Sequence, residues 1–370
     1  MRTCLVLGAG SSLANAEYFR PARRKATHPP LDFTFFQKIT ELGLSVAVDL
    51  GHYASNLPTG TPFLNAGGTG GRMEEFLRDL YHDFLQQRAL STSEPVRAYR
   101  QLVRLYADVL RTTTNWMNKD SYSGGPVGQL LSAAADTADR VDVITFNHDL
   151  VIENEIYKRA RLRKRWCIEK SYGKFGEGRT FLQTAGMSMF PMDSDDCDHT
   201  RPLVIHKMHG SLNWWIKIRG KEPTPGVLAG EFSGPADVLI TRERNLREVH
   251  HVRMKPKGKG SSWNVWPVIV PPVYNKGALI DAFMPAVWSE ARDALRDSDR
   301  VVFFGYSLPV GDIEAEKAIQ RALSLNENAP WVGVIDPNPG LTSRYGALLP
   351  NTPLRWFPTA QRFLADDNFS

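Results

Sequence analysis

The stretch of this chain best equipped for proton chemistry is His206-Lys207-Met208-His209-Gly210-Ser211-Leu212-Asn213-Trp214. It follows a short apolar run, Leu203 to Ile205, that reads as a buried strand. His209 therefore stands where a strand gives way to a turn. Gly210 permits unusual dihedrals there, and Ser211 and Asn213 can bond the turn's own backbone. An imidazole at such a strand end can accept a proton at neutral pH. A second group is Thr145-Phe146-Asn147-His148-Asp149, after the apolar run Val141 to Ile144. Alternation along an extended segment puts Thr145, Asn147 and Asp149 on one face, a row able to fix the hydroxyls of a sugar. Asp149 is also placed to cap a helix beginning near Leu150. A third is Gly8-Ala9-Gly10-Ser11-Ser12-Leu13, which follows Thr3 to Leu7. A buried strand feeding a glycine turn leaves backbone N–H groups that can cradle a phosphate. The third glycine of the dinucleotide fingerprint is missing. Asp32, near the spacing of the usual ribose-binding acid, follows Pro29-Pro30 and not a strand.

The elements that must hold these groups are short apolar strands separated by helical stripes. Met73, Phe76, Leu77, Leu80, Tyr81 and Phe84 recur at three and four, as do Val96, Tyr99, Leu102, Val103, Tyr106 and Leu110. Leu130-Leu131 begins a third helix. Later come a strand at Val268 to Val270, an amphipathic helix through Ile280, Phe283, Val287, Ala291 and Leu295, and a strand Val301 to Phe304 that ends in Gly305-Tyr306-Ser307-Leu308-Pro309. A helix from Ala315 to Leu325 leads to Trp331 to Ile335, which ends in Asp336-Pro337-Asn338-Pro339. Strand, helix, strand, helix, strand predicts an α/β fold: a Rossmann-like parallel sheet with helices on both faces, plus a helical insertion. The expected division is one domain over 1–370, with a core at about 1–50 and 140–370, the insertion at about 70–140 and an irregular small module at about 155–265. Ligands of such sheets collect at the carboxyl ends of the strands, where Gly8 to Ser12, Asn147, His209, Ser307 and Asp336 all fall.

Composition narrows the class. No stretch approaches the ~18–20 apolar residues of a membrane span, and no secretory signal is evident, so a cytoplasmic protein without membrane contact is expected. Three cysteines, Cys4, Cys167 and Cys197, offer neither a disulfide framework nor a zinc half-site. His250-His251 cannot put both rings on one metal, and Asp193 to Asp198 lacks the glycine and distal glutamate of a calcium loop, so no metal is expected. The net charge of +5 is concentrated at Lys158 to Arg165 and Arg253 to Lys259. Either run can meet nucleic acid, but neither carries the interleaved aromatics of single-strand binders, and a solvated face is the plainer reading. A serine-esterase reading of Ser307 fails because Pro309 occupies the place of the second glycine.

Taken in order, Gly8-Ala9-Gly10-Ser11-Ser12, Thr145-Phe146-Asn147-His148-Asp149 with Glu153, His209-Gly210, Gly305-Tyr306-Ser307-Leu308-Pro309 and Ile335-Asp336-Pro337-Asn338 resemble the sirtuin (SIR2-like) family from end to end. The spacing from Thr145 through Asn147 and Asp149 to Glu153 looks more like the bacterial SIR2-like proteins of anti-phage systems than like the protein deacetylases. His148 stands where those relatives usually carry a tyrosine. Deacetylase sirtuins hold a structural zinc with two Cys-x-x-Cys pairs after the His-Gly motif; here Ser211 to Val265 contains no cysteine, so no zinc ribbon is expected.

The resemblance implies NAD as substrate. Gly8, Gly10 and Ser12, with Ala9 and Ser11 in the same loop, would hold the pyrophosphate. Gly305 and Ser307 would line the adenosine side, Asp336 would bond the adenosine ribose, and Asn147 and Asp149, with Thr145 in the same row, would orient the nicotinamide ribose. His209 and Asn147 are then the catalytic pair of an NAD hydrolase releasing nicotinamide and ADP-ribose, as effector of a prokaryotic anti-phage system. Activity in such relatives is tied to self-assembly or to a partner such as a HerA-like ATPase or a short Argonaute, so a homo-oligomer or a partner subunit is expected. The alternatives are an NAD-dependent protein deacylase or ADP-ribosyltransferase, and a non-catalytic nucleotide- or nucleic-acid-binding subunit using Lys158 to Arg165.

Overall fold

The computed structural model describes residues 1–19, 28–57, 73–119, 121–122, 124–166, 168, 172–176, 179–182, 190, 198, 200–218, 222–229, 238–242, 264–270, 280, 284–309 and 311–366. The Gly67 to Gly71 run, His250-His251 and the basic run Arg253 to Lys259 lie outside them.

Six strands make the central sheet: β1 (Arg2–Leu7), β2 (Arg140–Thr145), β4 (Leu203–Lys207), β8 (Arg300–Phe304), β9 (Trp331–Ile335) and β10 (Leu354–Phe357). Their order is β10-β9-β8-β1-β2-β4, and every neighbouring pair is parallel. Renumbered within the sheet, this is the 3-2-1-4-5-6 arrangement of doubly wound dinucleotide-binding folds, whose strand order reverses between β1 and β8. The strands are short, and all but the edge strand β10 are almost wholly buried because both faces are covered. Helices Ala9–Phe19, Pro126–Thr137, Val151–Tyr157 and Ala360–Asp366 pack with one another on one face, and Pro285–Arg296 and Ile313–Ser324 on the other.

Register sets the site. Leu7 pairs with Thr145 and Phe304, Thr145 with Lys207, and Phe304 with Ile335, so the strands end level with one another. Gly8, Phe146, Met208, Gly305 and Asp336, the next residues along, therefore stand in one row along the carboxyl edge. This is why motifs up to three hundred residues apart in the chain meet.

The first two helical stripes become Met73–Gln87 and Glu94–Thr114, packed on each other. Phe84 stacks on Tyr99 with ring centroids 4.6 Å apart, and Val48–Ser55 lies against the longer helix. Asp32 accepts from the Glu74 amide at 2.9 Å, so it holds the start of a helix. The third stripe, Pro126–Thr137, lies on β2 beside Ala9–Phe19.

One strand differs from the sequence expectation. Val268 to Val270 was expected to open the parallel series, but it is the end of β7 (Asn264–Ile269), which pairs antiparallel with β5 (Gly210–Ile218). The turn at Met208-His209 is tight enough that the chain re-enters a strand at Gly210, and the Val270 amide reaches back to the His209 carbonyl at 2.8 Å. With β3 (Thr180–Leu182) and β6 (Val238–Thr241), these strands make a second, mixed sheet in the order β3-β6-β5-β7. Its core is aromatic: Trp214 stacks on Phe175 at 3.9 Å and meets Tyr172 edge-on.

Within the central sheet, Asp142 on β2 is buried. Burial alone pushes its carboxyl up, but hydrogen bonds from His206 and Arg140 outweigh it and hold the group at about 2. A folded-state value below the unfolded one gives stability that is complete above about pH 4 and lost as pH falls toward 2. Acid titration followed by circular dichroism should therefore show Asp142→Asn with a shallower loss of stability between pH 4 and 2 than the parent; equal slopes would remove Asp142 from the acid response.

Candidate active site

A cleft of about 940 Å³ opens at the carboxyl edge where the strand order reverses. That volume lies in the range of sites for whole small molecules, ~300–1,000 Å³. Of the residues singled out in the sequence, Gly8, Ala9, Gly10, Ser12, Asn147, Asp149, His209, Gly305, Ser307 and Asp336 border it. Thr145 and Ser11 do not line it. Thr145 is buried beneath, where its Oγ1 accepts from the Asn147 amide at 3.1 Å, and Ser11 turns inward to donate to the Gly8 carbonyl at 2.7 Å.

The glycine loop is built by close contact with the turn after β8. A Cβ on Gly305, whose φ is +60°, would sit 2.3 Å from the Ser11 nitrogen, and one on Gly8 would sit 2.5 Å from the Gly305 carbonyl oxygen. The Gly8, Gly10 and Ser11 amides already donate to the carbonyls of Phe304, Gly305 and Gly8. The cradle expected from sequence is thus partly spent on holding itself. What faces the cleft is the positive end of helix Ala9–Phe19 and the side chain of Ser12. Gly305→Ala meets rigid backbone, so it should lower the melting temperature by several degrees; a thermal melt that matches the parent would refute this loop packing.

Asn147 ties the two halves of the site together. Its Nδ2 donates to the Gly8 carbonyl at 2.9 Å and to Ser12 Oγ at 3.0 Å, while Ser12 donates to Asp149 Oδ2 at 2.8 Å. Asp149 Oδ1 accepts from the Val151 amide two positions on, an Asx-turn ahead of helix Val151–Tyr157, whose cap residue is Leu150, and the same residue borders the cleft. Beneath the loop, Lys207 forms a fully buried ion pair with Glu153 at 3.0 Å and donates to the Asn147 and Asp149 carbonyls. Tyr172 donates to Glu153, and Asn213 to Tyr172. Burial pushes the Glu153 carboxyl up, with Lys207 opposing.

His209 is 5% exposed, between Phe146 at 5.3 Å and Trp288 at 6.3 Å, ring centroid to centroid. His148 neighbours it at 6.1 Å. Val270 O can only accept, so His148 Nε2 donates to it at 3.1 Å and Nδ1 accepts from Tyr106 at 3.1 Å. Burial, and next the proximity of His209, push His148 well below the usual imidazole value. It is a neutral, fixed wall of the cleft. On the adenosine side expected from sequence, Gly305 to Leu308 is held by Arg344, which donates to the Ser307 and Leu308 carbonyls, and by Tyr345, which donates to that of Tyr306. Asp336 Oδ1 accepts from the Asn338 amide, and burial raises its carboxyl.

Sequence reading missed Tyr106 and Asp312, which also border the cleft. Tyr106 is the hydroxyl end of a residue read only as part of an apolar stripe. The Lys158 to Arg165 run is divided: Lys158 and Arg159 pair with Glu155, and Arg165 donates to the carbonyls of Ala135, Ala138 and Asp139, while Arg161, Arg163 and Lys164 are exposed. Among the described residues no cluster of metal-ligating side chains occurs, and no helix is long and apolar enough to cross a membrane.

No protein-family model matches the chain, and no curated protein matches it in sequence. Comparison with solved structures returns, among others, one described as "Structural Basis for the Mechanism and Regulation of Sir2 Enzymes", 10% identical, covering 98% of this chain and 89% of that chain at a TM-score of 0.36.

Proposed function

We propose that the chain cleaves the nicotinamide glycosidic bond of NAD with water as acceptor. One observation carries this reading: the glycine loop, Asn147 and His209, distant in sequence, border one cleft at the switch point of a 3-2-1-4-5-6 sheet. The family resemblance of the same motifs supports the choice of NAD. A phosphate favours the amino end of helix Ala9–Phe19. Asp336 suits a ribose hydroxyl, and Asn147 and Asp149 suit the sugar beside His209.

In the reaction nicotinamide leaves with the electron pair of the C–N bond, and the ribose carbon becomes oxocarbenium-like. Water attacks that carbon, and the proton it loses passes to His209. Such base catalysis is worth about 10²–10⁴-fold. Phe146 and Trp288, with Tyr306 stacked behind Phe146, give the imidazole apolar surroundings that keep bulk water from competing. We extend the proposal to the biological setting that the resemblance implies: an effector of anti-phage defence, its NAD cleavage controlled by self-assembly or by a partner protein. The test is incubation of purified protein with NAD, alone and with an acetylated peptide. Equal amounts of free nicotinamide and ADP-ribose, indifferent to the peptide, are expected. Peptide-dependent release would move the activity to deacylation, and NAD left intact with every candidate partner would leave a nucleotide-binding subunit.

A further inference from the structure

We infer that Asp312 is a positioning residue for His209, so that the base of this site is a His209–Asp312 pair braced by Tyr306. The catalytic meaning of the pair rests on the NAD-cleavage reading; the pair itself does not. His209 Nε2 lies 3.6 Å from Asp312 Oδ1, with both side chains about one-twentieth exposed. Tyr306 donates to the other carboxylate oxygen, Oδ2, at 2.9 Å. The Tyr306 ring is fixed in turn, because it stacks on Phe146 with centroids 4.3 Å apart and planes within 10°. Phe146 meets the His209 ring edge-on, so imidazole, phenyl, phenol and carboxylate form a closed circuit. The Asp312 backbone is anchored as well: its amide donates to the Pro309 carbonyl at 2.9 Å, and its own carbonyl accepts from the Glu316 amide at the start of helix Ile313–Ser324.

The chemistry of such a pair is specific. A carboxylate facing Nε2 favours the tautomer that carries its proton there, which puts the basic lone pair on Nδ1. When His209 becomes an imidazolium, Asp312 supplies the opposing charge at close range in a water-poor site. Four other polar groups near the cleft are engaged elsewhere or uncharged. His148 is kept neutral by burial, and Tyr106 is engaged with His148. Lys207 is paired with Glu153, and Asp149 with Ser12 and the Val151 amide. The sequence offers no hint of this role, since Asp312 lies 103 positions from His209 and reads as an ordinary helix-start residue.

The test is nitrogen NMR of protein labelled at histidine, comparing the parent with Asp312→Asn and Tyr306→Phe, beside nicotinamide release. In the parent the neutral His209 ring should carry its proton on Nε2. In Asp312→Asn its titration midpoint should move about one unit to lower pH, and nicotinamide release should fall about 10²-fold through kcat with KM little changed. Tyr306→Phe keeps the carboxylate and should shift both readouts less in the same direction; it serves as the test if Asp312→Asn does not fold. An unchanged tautomer and midpoint in the folded variants would overturn the pairing. If the parent releases no nicotinamide while the NMR shift appears, the pair stands and the NAD-cleavage reading falls.

Discussion

His209→Ala should reduce nicotinamide release by about 10³-fold or more while leaving the fold and the affinity for NAD nearly intact. In the proposed reaction this imidazole, at the cleft with Asn147, is the base; His148, also at the cleft, is held neutral with both ring nitrogens engaged by Tyr106 and Val270. Removing a positioned general base costs about 10²–10⁴-fold, and a ring that also shapes the pocket places the loss toward the upper end. Little stability should be lost, because a cavity at the edge of a cleft can fill with water. Release within tenfold of the parent, with the melting temperature preserved, would mean that another group takes the proton.

The second large effect is on stability. Lys207→Met should destabilise the protein by about 3–5 kcal/mol, a large share of the ~5–15 kcal/mol that holds a typical domain together. Lys207 and Glu153 are both fully buried, so the substitution strands a carboxyl without its opposing charge and releases the carbonyls of Asn147 and Asp149. Burial already pushes Glu153 toward its neutral form. The variant should therefore bind one extra proton on folding and be less impaired at acidic pH than at neutral pH. Pairing it with Glu153→Gln should recover much of the loss. Urea midpoints for the two single variants and the double variant measure this; additive losses would show that the two charges do not support each other.

How much of this was legible in the sequence depends on what each signal encodes. The buried strands were readable because a parallel sheet covered on both faces demands continuous apolar runs, and each of Thr3 to Leu7, Val141 to Ile144 and Val301 to Phe304 ends in a glycine or polar turn. The convergence of those turns follows from register once the runs are seen as strands of one sheet. The second sheet was hidden for the opposite reason. Gly210–Ile218 mixes Ser211, Asn213 and Lys217 with tryptophans, and its partners lie beyond long polar segments, so local pattern gave no pairing. β10, Leu354–Phe357, alternates half-buried and exposed residues and passed unread. Chemical roles were harder still. Asn147 was identified as a candidate, yet its Nδ2 is spent on Gly8 and Ser12, a contact across 139 positions. Lys158 and Arg165 looked like parts of a basic surface until the carbonyls and carboxylate that take them were in place. Asp312 became visible only when the turn after β8 was folded against His209.

The central claim is that a dinucleotide lies across the glycine loop with its nicotinamide ribose at Asn147 and His209. Proton NMR of NAD mixed with the protein tests it most directly, since saturation transfer reports contact and free nicotinamide reports cleavage in one sample. The account predicts transfer to both the adenine and nicotinamide protons in the His209→Ala variant, and growth of free nicotinamide with the parent. Absence of transfer to NAD in both proteins would contradict it.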